Sequence, residues 1–511
     1  MITNKIYLPL ILILVFGFCV RLPGVLWGVN IHAQPHFTGY HTDELDRVQI
    51  TSEFLTGTVF QQAYYPKGYY FQNAIPALLL KPFIAIGEPQ LILIGRLLSL
   101  IYGVLTIGLV YLITKEIFVN HLTAVYSSMF LAFSGLHVTA SHYAVVDAGT
   151  VFFTYAAMYC SLLFMRRNRN IFLISALVLA AIGLAFKLSL YILIPLLYIM
   201  WKRRLRPLIW IGCFALICAV FAAANGGHYT WHNFILTMQN VQNDNISVIT
   251  KYNKLWNPLI YFVGTIPALG FIGFATFLTG AFLLFKQKKN ILTPDIFFIF
   301  ILPLSVYGVS ICCLSDPFTR HVLPFIVLFA IVAAYGLEKI QHVIPARRFT
   351  FLVSVIVFYQ MLYVINFQYY YIFDTRASAQ ECIKEHVPKG KTIYLMRHAQ
   401  MADLGQYTLV KDYRAEYLVM NEADYFRYKR SVFCPFKEYP DWDEVYHGKK
   451  EDFKEIQNTL QGKSSYRLIA QFPVRFITPE NFIYKRILGT YTEEIGDTRI
   501  YQRNTLPDSA A

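Results

Sequence analysis

The chain has 511 residues, 56% of them hydrophobic and only 15% charged, with a mean hydropathy of +0.43. Soluble domains carry about 25% charged residues, so a wholly soluble protein is excluded. The net charge of +14 does not point to nucleic acid, because the basic residues cluster between apolar runs and no groove of basic and stacking side chains is visible.

A hydrocarbon layer of ~30 Å needs about 20 apolar residues per helix, and such runs recur from Ile6 to Tyr371. They do not alternate, which excludes a transmembrane β-barrel. Residues 1–373 therefore read as a polytopic α-helical membrane domain. The first run, about 6–27, lacks a clear small-x-small cleavage site and fits an uncleaved first helix better than a signal peptide. Four basic clusters then set orientation by the positive-inside rule. They are Arg166-Arg167-Asn168-Arg169, Lys202-Arg203-Arg204-Leu205-Arg206, Lys286-Gln287-Lys288-Lys289 and Arg347-Arg348.

With each cluster cytoplasmic, residues 28–70 form an outer loop. The run 71–88, interrupted at Lys81-Pro82, must begin and end on one face, as a juxtamembrane helix or re-entrant hairpin. The predicted spans that follow are 91–114, 122–140, 147–165, 170–187, 188–201, 207–224, 258–285, 293–313, 322–340 and 349–373. With the first helix this makes about eleven spans, and the tail from Asp374 lies outside. The segment 188–201 is too short to span alone unless the turn at Lys187 is sunk into the protein.

This parity puts Asp43, Glu44, Lys67, His142, Asp147, Lys187, Arg320 and His321 on one rim. In the first outer loop, His41-Thr42-Asp43-Glu44 precedes a helix-spaced stripe of Leu45, Val48, Ser52 and Leu55. Carboxylates at a helix N-terminus stay ionised; there they accept a proton, bind a metal, or simply make an acidic first turn. Lys67, in the aromatic Tyr64-Tyr65-Pro66-Lys67-Gly68-Tyr69-Tyr70 turn, either pairs with phosphate or snorkels to a headgroup. Asp147 opens an apolar helix after Ser141-His142, and a cap alone would explain it. Lys187 has almost no soluble loop around it and needs an anionic partner. Arg320 suits bidentate phosphate contacts, although Asp316 offers a neutralising partner.

In these residues, over roughly 5–375, the chain resembles the type-C glycosyltransferases. It is most similar to the protein O-mannosyltransferases and the aminoarabinose transferases acting on lipid A. The matching elements are Asp43-Glu44, Tyr65-Pro66-Lys67-Gly68-Tyr69-Tyr70, Arg96-Leu97, Ser141 with Asp147, Lys187, and Arg320 through Pro324. The resemblance implies transfer of a sugar from a polyprenyl-phosphate carrier to an acceptor protein, lipid or glycan, by an inverting single displacement. Asp43 would be the base, with Glu44 and Asp147 orienting the acceptor or joining Asp43 around a divalent metal. Tyr65, Lys67, Arg96, His142, Lys187, Arg320 and His321 would bind donor and phosphate. The turn reads Pro-Lys-Gly where aminoarabinose transferases have Lys-Pro-Pro. The Trp-Trp-Asp-Tyr-Gly signature of oligosaccharyltransferase is absent, which points away from N-glycan transfer.

The tail, 374–511, turns abruptly toward soluble composition. Helices near 376–387 and 450–460 and strands at 392–396, 416–420, 466–473 and 498–503 predict a small extracytoplasmic α/β domain. Cys382 and Cys434 are candidates for pairing there. The loop 225–257 carries an Asn245-Ile246-Ser247 sequon and interfacial Trp231, Tyr252 and Trp256. No Gly-rich nucleotide loop occurs, which fits a lipid-linked donor, so no nucleotide cofactor is expected. The compact loops and tail suggest a bacterial inner membrane. A transporter or lipid-linked sugar flippase is the alternative class, but it would place charge near the bilayer midplane in two related halves, and neither feature is visible.

Overall fold

The computed structural model describes residues 3–29, 41–57, 66–225, 257–286, 293–312, 319–396, 398–425, 450–475, 477–482 and 496–504. Among them, eight helices are long and apolar enough to cross a membrane, and two shorter apolar helices, Asn170–Phe186 and Leu190–Lys202, accompany them. The remaining expected span is present in two pieces. The chain is a mostly helical membrane protein with a small sheet near its C-terminus.

In chain order, α1 (Thr3–Arg21) is followed by a one-turn 3-10 helix at Pro23–Leu26. Two helices, α2 (Thr42–Thr56) and α3 (Gly68–Leu80), follow in the expected outer loop, and α3 stops at Lys81 as the Lys81-Pro82 interruption requires. Val48 and Leu55 of the predicted α2 stripe pack with Ala77, Leu91, Ile92 and Ile94. The spans α4 (Glu88–Phe118), α7 (Val146–Arg167), α8 (Asn170–Phe186) and α10 (Pro207–Ala224) lie where periodicity puts them.

Three expected spans are broken. Residues 122–140 divide into α5 (His121–Ala132) and α6 (Gly135–Ala140), because a Ser134-Gly135 pair interrupts the run. A side chain at Gly135 would strike the Phe367 ring at 2.3 Å. The segment 188–201 begins as a 3-10 turn, Leu190–Leu193, before α9 (Ile194–Lys202). The third is α11 (Asn257–Lys286), kinked at Gly270, where φ is 73° and ψ is 161°. A π-helical stretch, Phe297–Ile301, leads into α12 (Leu302–Cys312); α13 (Leu323–Gln341) and α14 (Ala346–Ile372) complete the bundle.

Between membrane helices packing replaces the hydrophobic drive, so small residues gather at contacts. On α11 and α13 a Cβ at Gly280 would lie 2.0 Å from the Val332 carbonyl oxygen, and one at Gly336 would lie 2.6 Å from that of Thr276. The buried core joins Ile107, Phe130, Leu131, Tyr155, Ala180, Ile326 and Ala330 from five helices.

After α15 (Thr375–His386) come β1 (Thr392–Leu395), β2 (Thr408–Leu409), β3 (Tyr417–Asn421), α16 (Lys450–Leu460), β4 (Tyr466–Phe472) and β5 (Thr498–Arg503). The sheet order is β2-β1-β3-β5-β4. Strand β1 is parallel to β2 and β3, whereas β5 runs antiparallel to β3 and β4. Ala379 and Ile383 cover it from α15, and Ile456 from α16. Among the described residues, sequence reading found every strand except the two-residue β2, which is too short to show alternation. Cys382 carries a free thiol; Cys434, the sequon, Trp231, Tyr252 and Trp256 lie outside the described residues.

Gly336→Val forces the α11–α13 contact apart. A loss of roughly 1–3 kcal/mol is expected as a lower apparent melting temperature in detergent. Gly212→Val, where an added Cβ meets nothing within 4 Å, should melt close to wild type.

Candidate active site

Glu44, at the third position of α2, and Arg96, on α4, have no solvent exposure at all. The Arg96 Nε and Nη2 donate to the two Glu44 carboxylate oxygens at 2.9 and 2.7 Å. Arg96 Nη1 donates to the carbonyls of Val25 and Trp27 at 2.9 and 2.6 Å, and the Ala144 amide donates to Glu44 at 2.6 Å. These contacts pin the 3-10 turn, the α2 N-terminus and the 141–145 turn to α4. Asp43 stands one residue before Glu44, and its side chain lies outside the described residues, as does Tyr65.

His142 is fully buried under this clamp. Its ring covers Gly24, where a Cβ would lie 2.2 Å from the imidazole, and meets the Tyr371 ring edge-on at 4.4 Å. Burial, reinforced by the Arg21 and Arg96 charges, pushes its pKa down to about 3. Arg21, at the end of α1, is also fully buried. It reaches His137 Nδ1 at 2.8 Å, the Gly17 carbonyl at 2.7 Å and Ser141 Oγ at 3.2 Å. In sequence an arginine ending an apolar run reads as a snorkelling residue, and nothing local marks it as interior.

The Lys67 turn packs against the end of α8. A Cβ on Gly68 would lie 2.7 Å from the Ala185 carbonyl oxygen, so only glycine allows this approach. Tyr69 meets the Phe186 ring edge-on at 5.6 Å. Lys67 is buried and electrostatically coupled to Glu53 of α2. Burial lowers the lysine pKa and raises that of the carboxyl, and each charge opposes the other's shift. Sequence reasoning missed Glu53, although a helix running between the acidic pair and Lys67 was the place to look for a counter-ion.

One residue beyond that contact, Lys187 donates to Asp147 Oδ1 at 3.1 Å. A cleft opens here, walled by Asp147, Thr150 and Val151 of α7, Lys187 and Ser189 after α8, Tyr191, Tyr307 of α12, and Arg320, Leu323 and Pro324. Three ionisable residues singled out in sequence, Asp147, Lys187 and Arg320, thus meet in one cavity. His321 lies behind it, hydrogen-bonded through Nδ1 to Tyr261 OH at 3.0 Å, and its carbonyl accepts from Tyr307 OH at 3.1 Å. Neither tyrosine was identifiable from sequence, since both sit inside apolar runs.

The arrangement offers cations for an anion and adjacent carboxylates for proton transfer. Among the described residues no three His, Cys, Asp or Glu side chains converge, Asp147 holds Lys187, and Glu44 is taken by Arg96 and Ala144; the Asp43 side chain, an expected ligand, lies outside them.

Residues 58–237 match the PMT family, described as dolichyl-phosphate-mannose-protein mannosyltransferase. That match covers residues 58–237 alone, whereas solved structures share the fold over nearly the whole chain. The chain superposes on ArnT from Cupriavidus metallidurans bound to undecaprenyl phosphate with a TM-score of 0.51 at 12% identity, covering 99% of both chains. The oligosaccharyltransferase of Archaeoglobus fulgidus in complex with Zn and sulfate gives 0.52 at 11% identity, over 96% of this chain and 88% of that one. No curated protein matches in sequence.

Arg96→Met leaves the Glu44 carboxylate buried without its cation, and should cost roughly 3–5 kcal/mol. Adding Glu44→Leu should recover part of that loss. Apparent melting temperatures of the two single variants and the double variant, in detergent, check the coupling.

Proposed function

We propose that the protein is a membrane glycosyltransferase that moves a sugar from a polyprenyl-phosphate carrier to an acceptor hydroxyl. The observation that carries this reading is the cleft shared by Asp147, Lys187 and Arg320, from segments far apart in sequence. The PMT match and the fold shared with a transferase bound to undecaprenyl phosphate support a lipid-linked donor.

In the proposed inverting displacement, Asp43 takes the acceptor hydroxyl proton as that oxygen attacks the anomeric carbon. The bond from this carbon to the phosphate oxygen breaks, and the lipid phosphate leaves with the electron pair. Lys67, Lys187 and Arg320 stabilise the charge as it develops. A helix N-terminus keeps Asp43 ionised, and the Glu44–Arg96 clamp holds that terminus in place, so Glu44 and Arg96 act as positioning residues. Asp147 neutralises Lys187 between turnovers and yields it to the phosphate. His142 supports the floor, and His321 orients the Arg320 turn through Tyr261. The expected divalent ion at Asp43 and Asp147 depends on the Asp43 side chain, which lies outside the described residues, so no step is routed through it.

The partners in this reading are the lipid-linked donor, the surrounding lipid and an acceptor protein, lipid or glycan. Residues 1–373 form the transferase domain and 374–511 an extracytoplasmic domain, in a bacterial inner membrane.

Transfer of label from a radiolabelled polyprenyl-phosphate sugar, in membranes containing the protein, tests the proposal. Asp43→Asn should lower transfer by ~10²–10⁴-fold. Arg320→Ala and Lys187→Ala should each lower it by about 10²-fold. No transfer with any donor, together with substrate flux in proteoliposomes, would instead indicate a transporter.

A further inference from the structure

The kink in α11 strands backbone groups on both sides. Three carbonyls on the near side are satisfied by side chains: Tyr363 OH donates to Pro267, Ser134 Oγ to Ala268 at 2.7 Å, and Gln360 Nε2 to Leu269 at 2.8 Å. On the far side the Phe271 amide donates to Glu480 Oε1 at 3.0 Å, and Tyr359 OH donates to the same oxygen. Glu480 belongs to the tail, yet it is only 1% exposed. Its neighbours follow α14: the Ile477 amide donates to Asn366 Oδ1 and Asn366 Nδ2 to Thr478 Oγ1, both at 3.1 Å.

These partners fix a depth. At 1.5 Å per residue, Tyr359 is ~16 Å from Arg348 along α14, and Phe271 is ~22 Å from Lys286 along α11. Arg348 and Lys286 mark basic helix ends that the crossing count puts at one membrane surface. Both distances fall short of a ~30 Å hydrocarbon layer. Glu480 therefore lies at a depth where an unpaired carboxylate is costly. The N-terminus of the half-helix 271–286 supplies the compensating positive end.

The exposure pattern around it is that of a lipid-facing element. Thr478 and Glu480 are buried, whereas Ile477 and Phe482 are 59% and 48% exposed. Phe358, Leu362 and Ile365 form an exposed apolar stripe on the same α14. A water-facing turn would show the reverse arrangement. We propose that tail segment 477–482 is a re-entrant wedge embedded in the bilayer, with Ile477 and Phe482 against lipid acyl chains and Glu480 capping the broken span. Non-helical backbone is tolerated at such depth because its polar groups are held by protein. This goes beyond the transferase reading and does not depend on it.

Full-length protein in liposomes of acyl-brominated phosphatidylcholine tests the wedge without any activity readout. Phe482→Trp and, as an independent position, Ile477→Trp are compared with Gln461→Trp, on an exposed tail turn, after subtraction of the wild-type signal from six tryptophans. The acyl bromines should quench Trp at 482 or 477 about two-fold or more over Trp at 461, with iodide protection in the opposite order, as expected for a probe inside the hydrocarbon layer. Equal iodide quenching at all three positions, with no effect of the acyl bromines, would overturn the proposal.

Discussion

Removing a charge from water costs several kcal/mol per ion unless geometry and further hydrogen bonds compensate, and this constraint organises the candidate site. Glu44 and Arg96 meet it fully. Every oxygen of the carboxylate is engaged, and the guanidinium also holds three backbone carbonyls of the turn after α1. The geometry of four segments becomes one decision. Trp27 extends it further, because its ring meets both Arg96 and Arg376, with the two guanidinium carbons 5.7 and 5.2 Å from its centroid. Its indole N–H donates to Asp374, the residue that caps α15. The start of the tail is thereby fixed to the same clamp as the acidic pair.

Broken helices are the second organising device. An unbroken span offers no polar backbone to its neighbours, whereas each break exposes carbonyls and amides that side chains must satisfy. Ser134 joins two of them: its oxygen accepts from the His137 amide and donates to the Ala268 carbonyl. The break after α8 leaves Lys187 and Ser189 in a turn that forms one wall of the cleft. Breaks and cleft thus belong to one arrangement, in which lost backbone hydrogen bonds are replaced by contacts that fix helix against helix.

Much of this was legible in the sequence, for identifiable reasons. Apolar length and basic clusters are strong local signals, so the spans and the shared rim of Asp147, Lys187 and Arg320 followed from counting crossings. Two of the breaks were not legible, because Ser134-Gly135 and Pro267 with Gly270 are compatible with continuous membrane helices until a partner is seen. Buried polar residues split the same way. Arg96 was noticed through a family motif, but its pairing with Glu44 joins positions 52 apart in sequence. Glu53, Arg21, Tyr261 and Glu480 have no motif at all, and their surroundings are made by tertiary contacts. Sequence shows where charge is scarce, and packing decides which charges are committed to one another.

That commitment differs with depth, and the difference bears on how a phosphate would be received. Lys187 and Asp147 remain 26% and 14% exposed, and pairs that keep contact with water contribute about 0–1 kcal/mol. In the proposed mechanism such a pair opens at little cost for the donor phosphate and closes again to keep the lysine neutralised. Glu44 and Arg96, with no exposure, have no comparable alternative: separating them would leave two unpaired charges in a low-dielectric interior. The same carboxylate–cation chemistry therefore gives a rigid clamp beneath the rim and an exchangeable contact at the cleft. In the proposed mechanism the frame thus stays fixed while only the cation facing the donor phosphate changes partner.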